Sequence, residues 1–485
     1  MNTKLVNNVG FTLTELASAG LTFGASGIDA SLRQLASTGA KEVTLSWQVK
    51  TVNSVAIDDR HSTINQLTHV IDYAHSLGLQ VALKPNLFGE SWSWSGVFTP
   101  TNPSAWFASY GQLLNTYAQI AQQHGVEQLL LTNEASLITT NKDFSTYWSN
   151  IVTSIRTIYT GQLGVNATVL GDEASNLTFG KLIDFIGLSD YSPLTNLNDP
   201  SINQISQALI SNRSGFSLID YINQLHTKYD KPIKISELAI MSTDGSNINP
   251  SNQSLSGPID YGEQTNAYMG ILQGLIQNSG DWLTGINIWG WFSDTNPVPL
   301  FYKQSSSPPA WQTHGGLAIQ DNQSALNAIT TFLKFPRISV ASSDGASSSM
   351  IALDVGPTQN AGSAYMLYKA AFNHEPDTPG LGFWINRMDS GMEYNTVAQN
   401  FVNSDEFKTA YGGSNPTVNT LVTKLYNNVL IRTPDAGGLT FWQDKLTTGG
   451  WTVANVLGYF ATSNENVTNV ASLIANGIAY QEWVG

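Results

Sequence analysis

Residues 62–85 read STINQLTHVIDYAHSLGLQVALKP and carry two different periods in succession. In the first part Ile64, Leu67, Val70, Ile71 and Ala74 recur at spacings of three and four. That pattern predicts a helix over Ser62–Leu77 with those residues on one face, Ser62 as N-cap and Gly78 just past its end. The second part, Gln80–Pro85, is a short, nearly continuous apolar run of the kind that forms a strand buried on both faces. The same alternation runs from about residue 20 to residue 335. Its β-like runs are Leu21–Ser26, Val43–Trp47, Gln80–Pro85, Gln128–Thr132, Leu163–Val169, Phe185–Tyr191, Ile233–Leu238 and Ile286–Trp291. Each is followed by helix-compatible sequence, and Gln323–Phe335 would be the closing helix. Eight such units predict an α/β fold, a (β/α)8 barrel of the TIM type.

The alternation stops at residues 337–363, RISVASSDGASSSMIALDVGPTQNAGS, where Ser, Gly and Ala dominate. This stretch reads as a linker, leaving a barrel domain at 1–336 and a smaller, mainly α-helical domain at 364–485. The second domain is duplicated. LYKAAFNHEPDTPGLGFWINRM, from Leu367, aligns with LYNNVLIRTPDAGGLTFWQDKL, from Leu425, and Pro376/Pro434, Asp377/Asp435, Gly380/Gly438, Phe383/Phe441 and Trp384/Trp442 coincide. Apolar positions recurring at three and four predict helices, with the Asp after each Pro as N-cap. The paired Phe-Trp dipeptides read as core residues of those helices, with a surface that binds polysaccharide as the alternative.

Composition narrows the partners. Of 485 residues only 12% are charged, and 22 Lys and Arg face 36 Asp and Glu, for a formal charge of −14. Before residue 337 there are 15 basic against 24 acidic residues, and from it onward 7 against 12, so neither part is a basic module. Such a chain has no electrostatic attraction for nucleic acid or anionic lipid, and no run is long and apolar enough to predict membrane insertion. Cysteine is absent, which removes disulfides, thiolate metal sites and Cys nucleophiles. The seven His form no H-x-H or H-E-x-x-H pattern, and there is no G-x-S-x-G, P-loop or EF-hand motif, so neither a metal nor an organic cofactor is expected. Thirteen Trp and 18 Tyr in a charge-poor chain suit neutral ligands such as sugars.

In a barrel, chemistry is read at the C-terminal ends of the strands. These ends supply Trp47 and Gln48, then Lys84, Pro85 and Asn86, then Asn133-Glu134, Asp190-Tyr191, Ser236-Glu237 and Trp289-Gly290-Trp291. Two carboxylates stand directly after apolar runs, in LLLTNE and IKISE. Facing the core they would incur a heavy desolvation cost, so both should point into the barrel mouth. The fourth and seventh strands lie nearly opposite in an eight-strand ring, so Glu134 and Glu237 converge. One protonated and one ionised carboxyl group is what cleavage of a glycosidic bond requires. Around this pair Trp92 and Trp94, in the long loop GESWSWSGVF, and Trp311 are placed either to stack on sugar rings or to pin long loops to the barrel. Trp47 and Trp289 are stronger candidates of the same kind, whereas Trp106 and Trp148 fall in helical patterns and read as packing.

Residues 20–335 resemble the clan A glycoside hydrolases, most closely the family 113 β-mannanase group. The resemblance rests on Asn133-Glu134, Glu237, ASTGAKEVTLSW, AHSLGLQVALKP, IDFIGLSDYSPL and GINIWGW. It implies Glu134 as general acid/base and Glu237 as nucleophile in a retaining reaction. It also implies that Asn133 binds the sugar 2-hydroxyl, that Tyr191 orients Glu237, and that Trp289 forms the floor under the sugar. Lys84, Asn86 and Trp291 join the binding set; Asn86 stands where the family leads one to expect His. The implied substrate is a neutral β-linked polysaccharide, mannan first, with β-glucan or an exopolysaccharide as alternatives. A non-catalytic surface carbohydrate-binding protein is the rival reading. Residues 364–470 resemble the domain-of-unknown-function 4214 family of exported or surface bacterial proteins. The N-terminal stretch MNTKLVNNVGFTLTELASAG lacks the apolar core of a signal peptide. The resulting expectation is an extracellular or cell-surface protein exported without an N-terminal signal, with the C-terminal domain contacting the export machinery, as in type I secretion.

Overall fold

The computed structural model describes residues 2, 5–16, 20–252, 258–293, 318–340 and 349–483. The chain divides into two compact units, Met1–Lys334 and Phe335–Gly485.

The first unit is a closed parallel barrel. Its elements are β1 (Val9–Thr14), α1 (Ile28–Ser37), β2 (Glu42–Val52), β3 (Val55–Asp58), α2 (Ile64–Ser76), β4 (Gln80–Phe88), α3 (Pro103–Gln123), β5 (Gln128–Asn133), α4 (Ser136–Thr139), α5 (Ser145–Arg156), β6 (Gln162–Thr168), β7 (Phe185–Asp190), α6 (Ile202–Ala208), α7 (Leu218–Tyr229), β8 (Ile233–Leu238), α8 (Tyr261–Asn278), β9 (Leu283–Trp291) and α9 (Gln323–Lys334). Strands pair in the order β1-β9-β8-β7-β6-β5-β4-β2, and β1–β2 pairing closes the ring. β3 lies outside the ring as the antiparallel arm of a hairpin with β2. Its two-residue turn, Asn53-Ser54, has φ of 49° and 56°, the left-handed geometry that matches strand twist.

The first strand is not Leu21–Ser26 but Val9–Thr14; Leu21 makes only an isolated bridge to Leu16. The reason is packing across the ring closure. A Cβ on Gly10 would stand 2.6 Å from the Glu42 carbonyl oxygen, so only glycine lets β1 sit this close to β2. All six β1 residues are buried. The α2 cap also differs from expectation. Thr63 accepts from the Gln66 N–H while the Gln66 side chain accepts from the Thr63 N–H, a reciprocal capping box. Ser62 instead donates to the buried Glu15, and Ile64 is largely exposed at 47%.

In the second unit the Ser/Gly-rich stretch is not a free linker. Residues Arg337–Val340 (β10) and Ser349–Ala352 (β11) pair with Ile478–Gln481 (β12) in one antiparallel sheet. Arg337 pairs with Asp354 and, at 3.1 Å, with Asp389, which ties that stretch to the helices. The duplication is visible in three dimensions. Helices Thr378–Asp389 and Ala436–Thr447 correspond, and Asp377 and Asp435 each cap theirs through the Gly380 or Gly438 N–H at 2.7 Å. Trp384 and Trp442 pack into this unit's core; Phe383 is half-buried and Phe441 is exposed.

Candidate functional site

Strand alternation decides which side chains reach the barrel interior. On β4 the residues Ala82, Lys84 and Asn86 share one parity, while Val81, Leu83 and Leu87 take the other. Lys84 is wholly buried, and its Nζ forms an ion pair with the Glu237 carboxylate across the barrel. Asn86 is half-buried and accepts through Oδ1 from the Asn133 Nδ2 at 2.8 Å.

Glu237, at the end of β8, is 9% exposed and accepts from three donors. Oε2 receives Lys84 Nζ and, at 3.2 Å, Asn166 Nδ2; Oε1 receives the Tyr191 hydroxyl at 3.0 Å. Burial, with the charges of Glu237 and Glu134, pushes the Tyr191 phenol well above its ordinary range, so it stays a donor.

Glu134 follows β5 at φ 46°, a left-handed conformation that costs a non-glycine residue on the order of 1 kcal/mol or more. Its backbone is held there by two contacts. Its N–H donates to the Asn166 carbonyl at 2.7 Å, and its carbonyl accepts from Ser95 Oγ at 3.0 Å. Burial raises the Glu134 carboxyl above the ordinary carboxylate range, and the negative Glu237 raises it further. The hydroxyl of Ser189, the Trp94 indole and the Lys84 charge pull it partly back. The two carboxyl groups are thus differentiated: one collects donors, the other resists ionisation.

The aromatic candidates divide. Trp94 is 49% exposed and donates Nε1–H to Glu134 Oε2 at 2.9 Å. Trp92 is equally exposed, with Lys50 Nζ 5.5 Å from its ring centroid. Trp289 is half-buried and packs beside Tyr191, Ala239 and Met241. Two expected binders do not reach the mouth. Trp47 shares parity with Val43 and Leu45, so it faces the helices: it is fully buried and donates to the Tyr117 hydroxyl at 3.1 Å. Trp291 would match Trp289 by alternation, but Gly290 at φ 107° and a register shift against β1 reset the pattern. Its ring packs on Phe11 and its Nε1 donates to Ser31 Oγ at 2.9 Å. Trp106 and Trp148 are fully buried packing residues; Trp311 lies outside the described residues.

Asn166 escaped the reading from strand ends, and Ser236 appeared there only as the neighbour of Glu237. Asn166 is a fully buried amide in the middle of β6, donating to both Asn133 Oδ1 and Glu237. Its signal was a lone Asn in the apolar run LGVNATV, the same logic that picked out LLLTNE. Glu173, after β6, is buried as well and accepts from the Thr168 N–H at 2.9 Å and Thr139 Oγ1 at 2.8 Å. Burial pushes it up to about 7.

Among the described residues one acidic trio, Asp244, Asp260 and Glu263, brings ligand atoms within 4.8 Å of one another. Glu263 already accepts from the Gly245 and Asn247 N–H groups at 2.7 and 2.9 Å. No described helix is long and apolar enough to cross a membrane.

Comparison with known proteins gives the family. The sequence profile of Glycoside Hydrolase Family 113 matches residues 14–305, and that of the Domain of unknown function (DUF4214) matches residues 398–470. No curated protein matches the chain. Among solved structures, the fold is similar to the GH113 β-mannanase from Alicyclobacillus acidocaldarius in complex with ManMIm. That likeness has 20% identity and a TM-score of 0.54, over 69% of this chain and 99% of that one. A GH113 β-1,4-mannanase complex is similar at 22% identity and a TM-score of 0.53, over 67% and 98%. The profile match spans more than half of the chain and contains every strand from β2 to β9, and on that ground the chain belongs to glycoside hydrolase family 113.

Proposed function

We propose that this glycoside hydrolase is a retaining, endo-acting β-mannanase-like enzyme, with Glu237 as nucleophile and Glu134 as acid/base. The observation that carries the reading is the unequal pair: Glu237 accepts from Lys84, Asn166 and Tyr191, while Glu134 is held above the carboxylate range. In the first step Glu237 attacks the anomeric carbon as Glu134 delivers its proton to the departing oxygen, so the leaving sugar carries that proton away. A glycosyl ester on Glu237 remains. Glu134, now ionised, takes a proton from water, which attacks the anomeric carbon from the vacated face and releases Glu237. Two inversions give net retention. The buried Lys84 remains beside Glu237 throughout and stabilises it as the leaving carboxylate. Trp289 and Trp94 offer flat faces at the mouth, suited to the C–H faces of a neutral sugar. Mannan is the first substrate because the similar solved structures are named mannanases.

A reducing-sugar assay across mannan, β-glucan and exopolysaccharides tests the substrate, with Glu134→Gln as the inactive control. Glu237→Gly with azide should release the α-glycosyl azide. Full activity in Glu237→Ala refutes the assignment. We also propose export directed by the C-terminal unit; deletion of residues 337–485 should abolish it, and unimpaired secretion of the truncated chain sinks the idea.

A further inference from the structure

We infer that Asn166 is a positioning residue through which Glu237 sets the polarity of Asn133, so that a single buried amide aligns both sides of the catalytic pair. The inference rests on the proposed roles of Glu134 and Glu237.

The argument begins at Glu237, whose carboxylate in its ion pair with Lys84 can only accept hydrogen bonds. The side chain of Asn166 must therefore turn its NH2 toward Glu237 Oε2, 3.2 Å away. That choice turns its Oδ1 toward Ser236, whose hydroxyl donates to it. The same NH2 group also reaches Asn133, and a donor there obliges Asn133 to present its oxygen. The Asn133 NH2 is consequently left facing Asn86 Oδ1 at 2.8 Å, which occupies one of its two hydrogens. Among the described residues no acceptor occupies the other, which can meet a sugar hydroxyl as a donor. An amide in the opposite sense would present a carbonyl oxygen to the sugar, which reverses what that position recognises.

The backbone adds a second link. The Asn166 carbonyl accepts from the Glu134 N–H at 2.7 Å, at the residue held in the left-handed region. The β5–β6 register is irregular between Leu130 and Asn133, and pairing resumes at Asn133↔Asn166. Asn166 thus touches the nucleophile by its side chain, the acid/base by its backbone, and Asn133 by both side chain and pairing. It is wholly shielded from solvent, so these bonds meet no competing water.

The test uses the full-length chain and 2,4-dinitrophenyl β-mannoside and β-glucoside, whose leaving group departs without a proton from Glu134. Asn166→Ala and Asn166→Asp should lower kcat about 10- to 100-fold while KM stays within about threefold. Asn166→Ser, which keeps one hydroxyl donor, should recover part of the loss. Lys84, Tyr191 and Glu134, the other groups facing Glu237, are unchanged in every variant. Ser236→Ala leaves both Nδ2 bonds in place and should lower kcat by a smaller factor than Asn166→Ala. Near-wild-type kcat in Asn166→Ala overturns the inference, as does a Ser236→Ala loss equal to that of Asn166→Ala. Glu237→Ala in the same assay separates the two levels. If it stays active the catalytic reading falls; if it is dead while Asn166→Ala is not, only the positioning role falls.

Discussion

Trp94 and Glu173 show how single side chains bias the chemistry of this barrel. Trp94 donates to Glu134 Oε2, and a donor to the ionised form lowers a carboxyl's pKa. Replacing Trp94 with Phe keeps an aromatic face but removes the donor, so the Glu134 proton is retained to higher pH. The basic limb of the kcat/KM profile should therefore move upward, and an unchanged limb in a pH series would show that this bond has no effect on the acid. Glu173 is a linkage case. Its folded-state carboxyl lies at about 7, above the ordinary value of 4.5, because burial disfavours its charge. The folded state then holds more protons than the unfolded one between those limits, so its contribution erodes as pH rises from about 4.5 to 7. Glu173→Gln should show a gain over wild type that grows across that window, on the order of 1–3 kcal/mol at pH 8. Thermal midpoints taken at pH 5 and pH 8 measure it.

The repeated helices of the second unit allow an internal comparison. The first copy's helix, Asn360–Phe372, ends in Asn373 at φ 56°, a residue type that tolerates the left-handed region. At the same place in the second copy stands Ile431, at φ 51° and 79% exposed. A β-branched side chain is penalised there and buries little in return. Ile431→Asn should stabilise the second unit by about 1 kcal/mol, raising its melting midpoint by several degrees. A fall in that midpoint would mean the exposed isoleucine makes a contact that matters. In the barrel, β1 shows the opposite situation. Its Gly10 sits against the Glu42 carbonyl, and Gly10→Ala should cost about 2–4 kcal/mol because neither strand backbone can retreat from the closed ring. Chemical denaturation of that variant gives the value directly.

The chain divides at Lys334/Phe335, two residues short of the barrel end expected at 336. β10 and β11 lie inside the stretch that composition marks as a linker, and both pair into the sheet completed by β12. A fragment of residues 335–485 should therefore melt cooperatively, whereas one of 364–485 lacks two of its three strands and the Arg337 pairs with Asp354 and Asp389. Circular dichroism melts of the two fragments decide this; equal midpoints would show that the sheet adds nothing to the unit.

The sequence by itself determined the alternation of strands and helices, seven of the eight barrel strands, the duplication, and the two Glu at strand ends. These depend on local periodicity and on the cost of placing a charge after an apolar run, which neighbouring residues already encode. Only the tertiary structure decided the first strand, because Val9–Thr14 is defined by the partners that close the ring. It also decided that Trp47 and Trp291 face the helices, since outward or inward depends on alternation that a bulge at Gly290 can reset. The role given to Asn166 is of the same kind. Its meaning comes from four residues, Asn133, Glu134, Ser236 and Glu237, that lie on or beside other strands and meet it only when the barrel closes.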